Sequence, residues 1–135
     1  MINAAPRFPQ YIEGANATGS TIATFLGVRG SPASIALPSG VASPVLGFTA
    51  ENILTGERGD VQVAGICVAT AAEAWDAAAV LVGVRCYVDT AGKVAIWDAA
   101  AGVNQSVAGL ALSVSTGDGD LVDFLIGAGG VGQGA

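Results

Sequence analysis

Three aspartates crowd one short stretch, Asp118, Asp120 and Asp123 in "GDGDLVD". Carboxylates so spaced are the material of a calcium loop, but such a loop needs further ligands out to a final bidentate glutamate. None follows here, and a solvated hairpin turn is the better reading. Asp89 and Asp98 bracket a second stretch, "VRCYVDTAGKVAIWD" (84–98). Two carboxylates can share general acid and base work when they face one pocket. At strand ends they more often serve solubility, and no pocket follows from the spacing. The chain contains no histidine, which removes Ser-His-Asp and Cys-His nucleophile systems and imidazole metal sites. Cys67 and Cys86 lack C-x-x-C spacing and sit in alternating runs, so they read as small core thiols. The glycine-rich "GAGGVGQG" near the C-terminus has no helix after it to cradle a phosphate. "TGERGDVQV" (55–63) has a passing likeness to a strand-turn segment of nucleotide hydrolases, but their other motifs are absent. We therefore expect no catalytic residue, no cofactor and no metal.

Composition points to contact surfaces. Of 135 residues 52% are hydrophobic and only 12% charged, about half the usual charged share. Such a surface suits a chain largely covered by partners. The net charge is −6, with one lysine and four scattered arginines, which argues against nucleic acid as a partner. The first fifty residues carry Arg7 and Arg29 against Glu13, whereas the rest sets three cations against ten acids. No run approaches the ~20 apolar residues that span a bilayer, and the start "MINAAPRFPQ" lacks the apolar stretch of a secretion signal. The expectation is a protein made in the cytoplasm, without membrane contact.

The elements that position these residues read as short strands. All five prolines fall at or before Pro44, so the leading third is extended or edge-like. Residues 1–20 read as an extended arm, with Phe8, Tyr11 and Ile12 as apolar anchors that need a surface to lie on. Strand candidates follow in "TIATFLGVRG" (21–30), "ASIALP" (33–38) and "SPVLGFTA" (43–50), with a turn at Glu57–Asp60. "VQVAGICVA" (61–69) reads as one strand with a glycine bulge. "TAAEAWDAAAV" (70–80) is the one helical stretch, with Thr70 and Glu73 at capping-box spacing and Trp75 as a lid. In the hairpin, Val84, Cys86 and Val88 face one way, and Thr90-Ala91-Gly92 turns the chain. "VAGLALSVS" (107–115) alternates through Leu110, Leu112 and Val114, and "LVDFLIG" (121–127) closes the sheet. Seven or eight strands without a strict internal repeat suggest a small β-sandwich or barrel. The organisation expected is an arm at 1–20, an all-β domain at 21–127 with at most one short helix, and a glycine-rich tail at 128–135.

Over roughly residues 45–127 the order of small motifs resembles the tailed-bacteriophage capsid decoration (cement) proteins. The matching elements are Tyr87-Val88-Asp89, the turn Gly92-Lys93, the strand Ala108-Gly109-Leu110-Ala111 and the strand from Gly119-Asp120 through Ile126. Lambda-type head decoration proteins look similar in the same hairpin. Asp123 departs from the pattern, where an apolar or small residue is usual. The resemblance implies a β-tulip type of domain and a structural virion protein on the outer surface of the expanded capsid. It also implies bridging of major capsid protein subunits, self-association as a homotrimer and no catalysis. On that reading Phe8, Tyr11 and Ile12 form the attachment arm. The alternatives are a tail, baseplate or receptor-facing β-module, and an enzyme of nucleotide metabolism using carboxylates and a metal.

Overall fold

No run of alternating side chains here is long enough to bury a face alone, so the short strands must pair widely to make a core. The computed structural model describes residues 9–98 and 105–127. In chain order the elements are β1 (Gln10–Ala15), β2 (Gly27–Ser31), β3 (Ser34–Ala36), β4 (Gly47–Thr49), β5 (Arg58–Ala64), β6 (Ile66–Thr70), α1 (Ala77–Val82), β7 (Val84–Val88), β8 (Val94–Ile96), β9 (Gly109–Ala111) and β10 (Leu121–Ile126). They form two antiparallel five-stranded sheets, β1-β5-β4-β2-β3 and β6-β10-β9-β7-β8. Each sheet curls until its outer strands meet. Asn16, just past β1, makes a parallel bridge to Ile35 in β3, and Ala71, just past β6, makes one to Val94 in β8. The expected all-β, barrel-like sandwich with one short helix is what the described residues form.

The two sheets repeat one plan. Their strand orders are the same when β1 to β5 are matched with β6 to β10. Their registers also match. Ile12 lies opposite Val61 and Val28 opposite Gly47 in the first half, as Cys67 lies opposite Phe124 and Cys86 opposite Gly109 in the second. The loop contacts follow suit. Ile22 bridges Ile53 as Trp75 bridges Ser115. The amide of Asn16 donates to the Glu57 carbonyl at 2.9 Å, and that of Ala71 to the Asp120 carbonyl at 2.8 Å. The repeat escapes a sequence reading because matched places keep an inward side chain but not its identity: Val28 with Cys86, Ile35 with Val94, Val61 with Phe124.

Each half has its own core. Ile22, Val28, Ile35, Ile53 and Val61 fill the first. The second gathers Cys67, Ala69, Trp75, Val84, Cys86, Val88, Val94, Val122 and Phe124, and takes in Phe48 from the first half. The Phe48 and Phe124 rings meet tilted at 57° with centroids 5.2 Å apart, a pair worth roughly 1 kcal/mol beyond the area it buries. Backbone bonds add to the joint. Gly27 donates to the Gly92 carbonyl at 2.8 Å, and Thr70 to the Phe25 carbonyl at 3.0 Å. Phe25 holds a positive φ of 64° at the place where the second half has Gly83, with φ 115°. A bulky residue is rarely left there, and the bonds at its two peptide groups hold it.

Several expectations are corrected. "VQVAGICVA" is two strands, because Gly65 takes φ 87° and turns the chain from β5 into β6, out of one half and into the other. The turn expected at Glu57–Asp60 lies earlier, so that β5 already begins at Arg58. Of 107–115 only Gly109–Ala111 is strand, and its inward places go to Gly109 and Ala111, leaving Leu112 and Val114 exposed. The helix cap is Asp76, whose Oδ1 accepts from the Ala79 amide at 2.9 Å. Thr70 instead ends β6, and the Glu73 carboxylate accepts from the Ile96 amide at 2.8 Å. Trp75 is buried as a lid. Residues 10–15 of the expected arm are β1, paired with β5.

Gly47 and Gly109 occupy matched places, and a Cβ on either would run into a carbonyl oxygen of the neighbouring strand, that of Gln62 or of Leu125. Gly47→Ala and Gly109→Ala should each destabilise the chain by about 3 kcal/mol, the upper end for overpacking. Gly40→Ala, which meets nothing within 4 Å, should be near neutral. Urea denaturation of the three variants checks this; equal midpoints would contradict the close approach.

Candidate interaction surface

Of the carboxylates singled out by spacing, Asp89 and Asp120 are used by turns, whereas Asp123 lies within β10. Asp89 Oδ1 accepts from the amides of Ala91 and Lys93, both at 2.9 Å, and so closes the β7–β8 turn. Asp98 follows the other end of β8, roughly 15 Å away at the rise of an extended strand, too far for a shared proton transfer. Asp120 Oδ2 accepts from the Thr116 amide at 2.9 Å and its Oδ1 from the Leu121 amide at 3.0 Å. The Thr116 amide bond first of all holds its carboxyl below the usual range. Asp118 pairs with Lys93 at 2.8 Å, tying that turn to the β7–β8 turn. This bond raises the lysine pKa, but the pair is exposed and of little weight for stability. Among the described residues no three His, Cys, Asp or Glu side chains gather where a metal ion could be held.

Cys67 and Cys86 are both buried and free. Burial pushes each thiol up to about 12, so neither forms a thiolate at neutral pH.

The expected anchors have different fates. Tyr11 is 50% exposed and overlooks a cleft of about 330 Å³ between the halves, lined also by Phe25, Phe48, Gln62, Ile66 and Asp123. Ile12 packs against the core of the first half. Phe8 and the tail at 128–135 lie outside the described residues. The cleft offers little chemistry: the Gln62 amide already donates to the carbonyls of Ala64 and Ile66, both at 2.9 Å.

The sequence reading missed an apolar face on the second half. Ala79 and Val80 of α1 rest on the core, while Leu81 and Val82 stand 89% and 91% exposed. The signal was present in "AAAVLV", a solvent-facing helix without a single polar residue, against the usual amphipathic pattern. Beside it runs a groove of about 530 Å³ lined by Ala79, Val82, Gly83, Arg85, Ile96 and Trp97. The Arg85 guanidinium lies over the Trp97 ring, 4.6 Å from its centroid. Such a surface offers apolar side chains and one stacked guanidinium for contact.

No family model matches the chain, and no curated protein matches it. A solved structure does. The chain shares its fold with the head fiber gp8.5 N base of bacteriophage phi29. The likeness has a TM-score of 0.61 and 12% sequence identity, and covers 88% of this chain and 94% of that one. Both curled halves and the joint between them are thus compared together.

The buried thiols generate a prediction. In native protein neither Cys67 nor Cys86 should react with iodoacetamide at pH 8, and both should react on unfolding. Because their folded pKa lies above the unfolded value, the stability they contribute is whole below ~8.5 and is lost as pH rises toward the folded value of about 12. Mass spectrometry of the alkylated native chain checks this; labelling at either cysteine would contradict it.

Proposed function

We propose that this chain is a structural virion protein of a tailed phage. In this reading it binds the outer surface of the expanded head as a decoration or cement protein and bridges major capsid protein subunits. One observation carries the reading: the fold shared, over nearly the full length of both chains, with a protein that is itself a phage head fiber base. That protein belongs to the phage head, which favours the capsid over the tail or baseplate. The motif order from Tyr87 to Ile126, the low share of charge and the exposed apolar side chains support it independently. The protein is proposed to act without catalysis, cofactor or metal, and to assemble as a homotrimer.

The mechanism is adhesion. Apolar area removed from water stabilises a contact by roughly 25 cal/mol per Å², and many copies on a shell repeat that gain. A rigid pair of closed sheets suits the task, since a bound scaffold that deforms little loses little of the contact energy to its own ordering. Tyr11, exposed beside the inter-half cleft, and Phe8 just before it are the proposed capsid contacts of the arm. Ile12 serves the protein's own core and is not among them.

Deleting residues 2–20 would remove β1 and unseat the first sheet, so the arm is better tested by Tyr11→Glu and by deletion of residues 2–8. Full-length protein should co-sediment with purified expanded heads. Each variant should fold and bind at least tenfold more weakly, or about 1.4 kcal/mol. Absence of co-sedimentation by the full chain would sink the reading, and full binding by both variants would remove the arm from it.

A further inference from the structure

The two halves meet through unlike faces. The first half offers Phe25, Leu26, Gly27 and Leu37, and the second offers Thr70, Val88 and Gly92. The Gly27 amide donates to the Gly92 carbonyl and the Thr70 amide to the Phe25 carbonyl. A Cβ on Gly92 would meet Leu26 at 2.9 Å and Leu37 at 3.0 Å, and one on Gly27 would meet Val88 at 2.8 Å. Such a contact is heterologous, and in a repeated structure it leaves one face of each kind unused. The matched registers locate both. Counting from Val28 with Cys86 and from Ile35 with Val94, the counterparts of Phe25, Leu26, Gly27 and Leu37 are Gly83, Val84, Arg85 and Ile96. These line the groove beside α1, to which no first-half residue contributes. The counterparts of Val88 and Gly92 are Gly30 and Ala33, both exposed at the β2–β3 turn.

We propose that the joint between the halves recurs between copies: the β2–β3 turn of one chain seats against Gly83–Arg85 and Ile96 of the next, and the contact closes as a ring of three. The repeat selects the occupant. The groove is the second half's counterpart of a surface that, in the first half, already receives the matching turn. Bulk is exchanged between the two contacts. Within a chain Gly27, without a side chain, takes Val88 against it; between chains Arg85 stands in the place of Gly27 and meets Gly30, which has no side chain. Arg85 keeps its position over Trp97, so the stack is a wall of the seat and not a bond to the partner. Ile96 is 38% exposed where Leu37 packs beside Gly92, and Ala33 of the next chain is its cover. Leu81 does not line the groove and takes no part. The inference deepens the virion reading, on which only the number of copies rests.

Paired cysteines test the contact by its direction. With Ala33→Cys and Ile96→Cys in one full-length chain, a short bismaleimide should join separate chains into dimers and trimers and nothing larger on a denaturing gel. The native thiols are buried and do not compete. Each single variant should give no cross-link, because the contact pairs unlike faces. In sedimentation velocity at micromolar concentration, wild type and Leu81→Glu should be assembled. Ala33→Glu and Ile96→Glu should each associate about tenfold more weakly and still melt cooperatively. A monomeric wild type, cross-linking by either single variant, a ladder running past three chains, or full assembly of both glutamate variants would overturn the proposal. Co-sedimentation of a monomeric wild type with heads would overturn it while leaving the virion reading standing.

Discussion

Closure of each five-stranded sheet on itself is the constraint from which the rest follows. An open sheet of this size would leave two strand edges unpaired, a template for aggregation. Both halves avoid this by curling until the first and third of their strands meet, at Asn16–Ile35 and at Ala71–Val94. So tight a curl leaves a narrow interior. It is filled by valine, isoleucine, cysteine and alanine together with Phe48, Trp75 and Phe124, with glycine where backbones come together at β4 and β9.

The two halves close by different chemistry at the same place. In the first, buried Asn16 sends its Nδ2 to the carbonyls of Ser20 at 2.7 Å and Ile53 at 2.8 Å, while its Oδ1 accepts from Thr18. A buried amide so fully bonded adds order, whereas losing one partner would cost about 1–3 kcal/mol. In the second half Ala71 stands in its place, and the backbone bridge with Val94 suffices. A small apolar residue and a fully bonded polar one are two solutions to one packing problem. Their interchange shows how a repeated plan can persist with few shared residues.

That also explains what was legible beforehand. The β7–β8 hairpin, the last strand and the buried thiols were readable, because alternation and turn chemistry at Val84–Val88 and Gly92 act locally. The division at Gly65 was not, since a glycine in an alternating run reads equally as a bulge or as a turn until the partner strands are known. Leu110, Leu112 and Val114 misled because size suggests burial, yet the closed interior admits only Gly109 and Ala111 at that level. Of the candidate contacts, Tyr11 kept an exposed place while Ile12 was drawn inward by its register opposite Val61. The α1 face was hidden by reading an alanine-rich segment as helix propensity alone, without asking which side it would bury.

The two curled sheets thus carry exposed apolar side chains on their outside, among them Tyr11, Leu81 and Val82. In the proposed reading such side chains hold the protein to the outside of a phage head. The most direct measurement is a reconstruction of the virion by cryo-electron microscopy at a resolution that separates strands. The account predicts density for the paired curled sheets at repeated positions on the outer head surface, with Tyr11 against capsid subunits. Density of this shape confined to the tail, or missing from the particle, would contradict it.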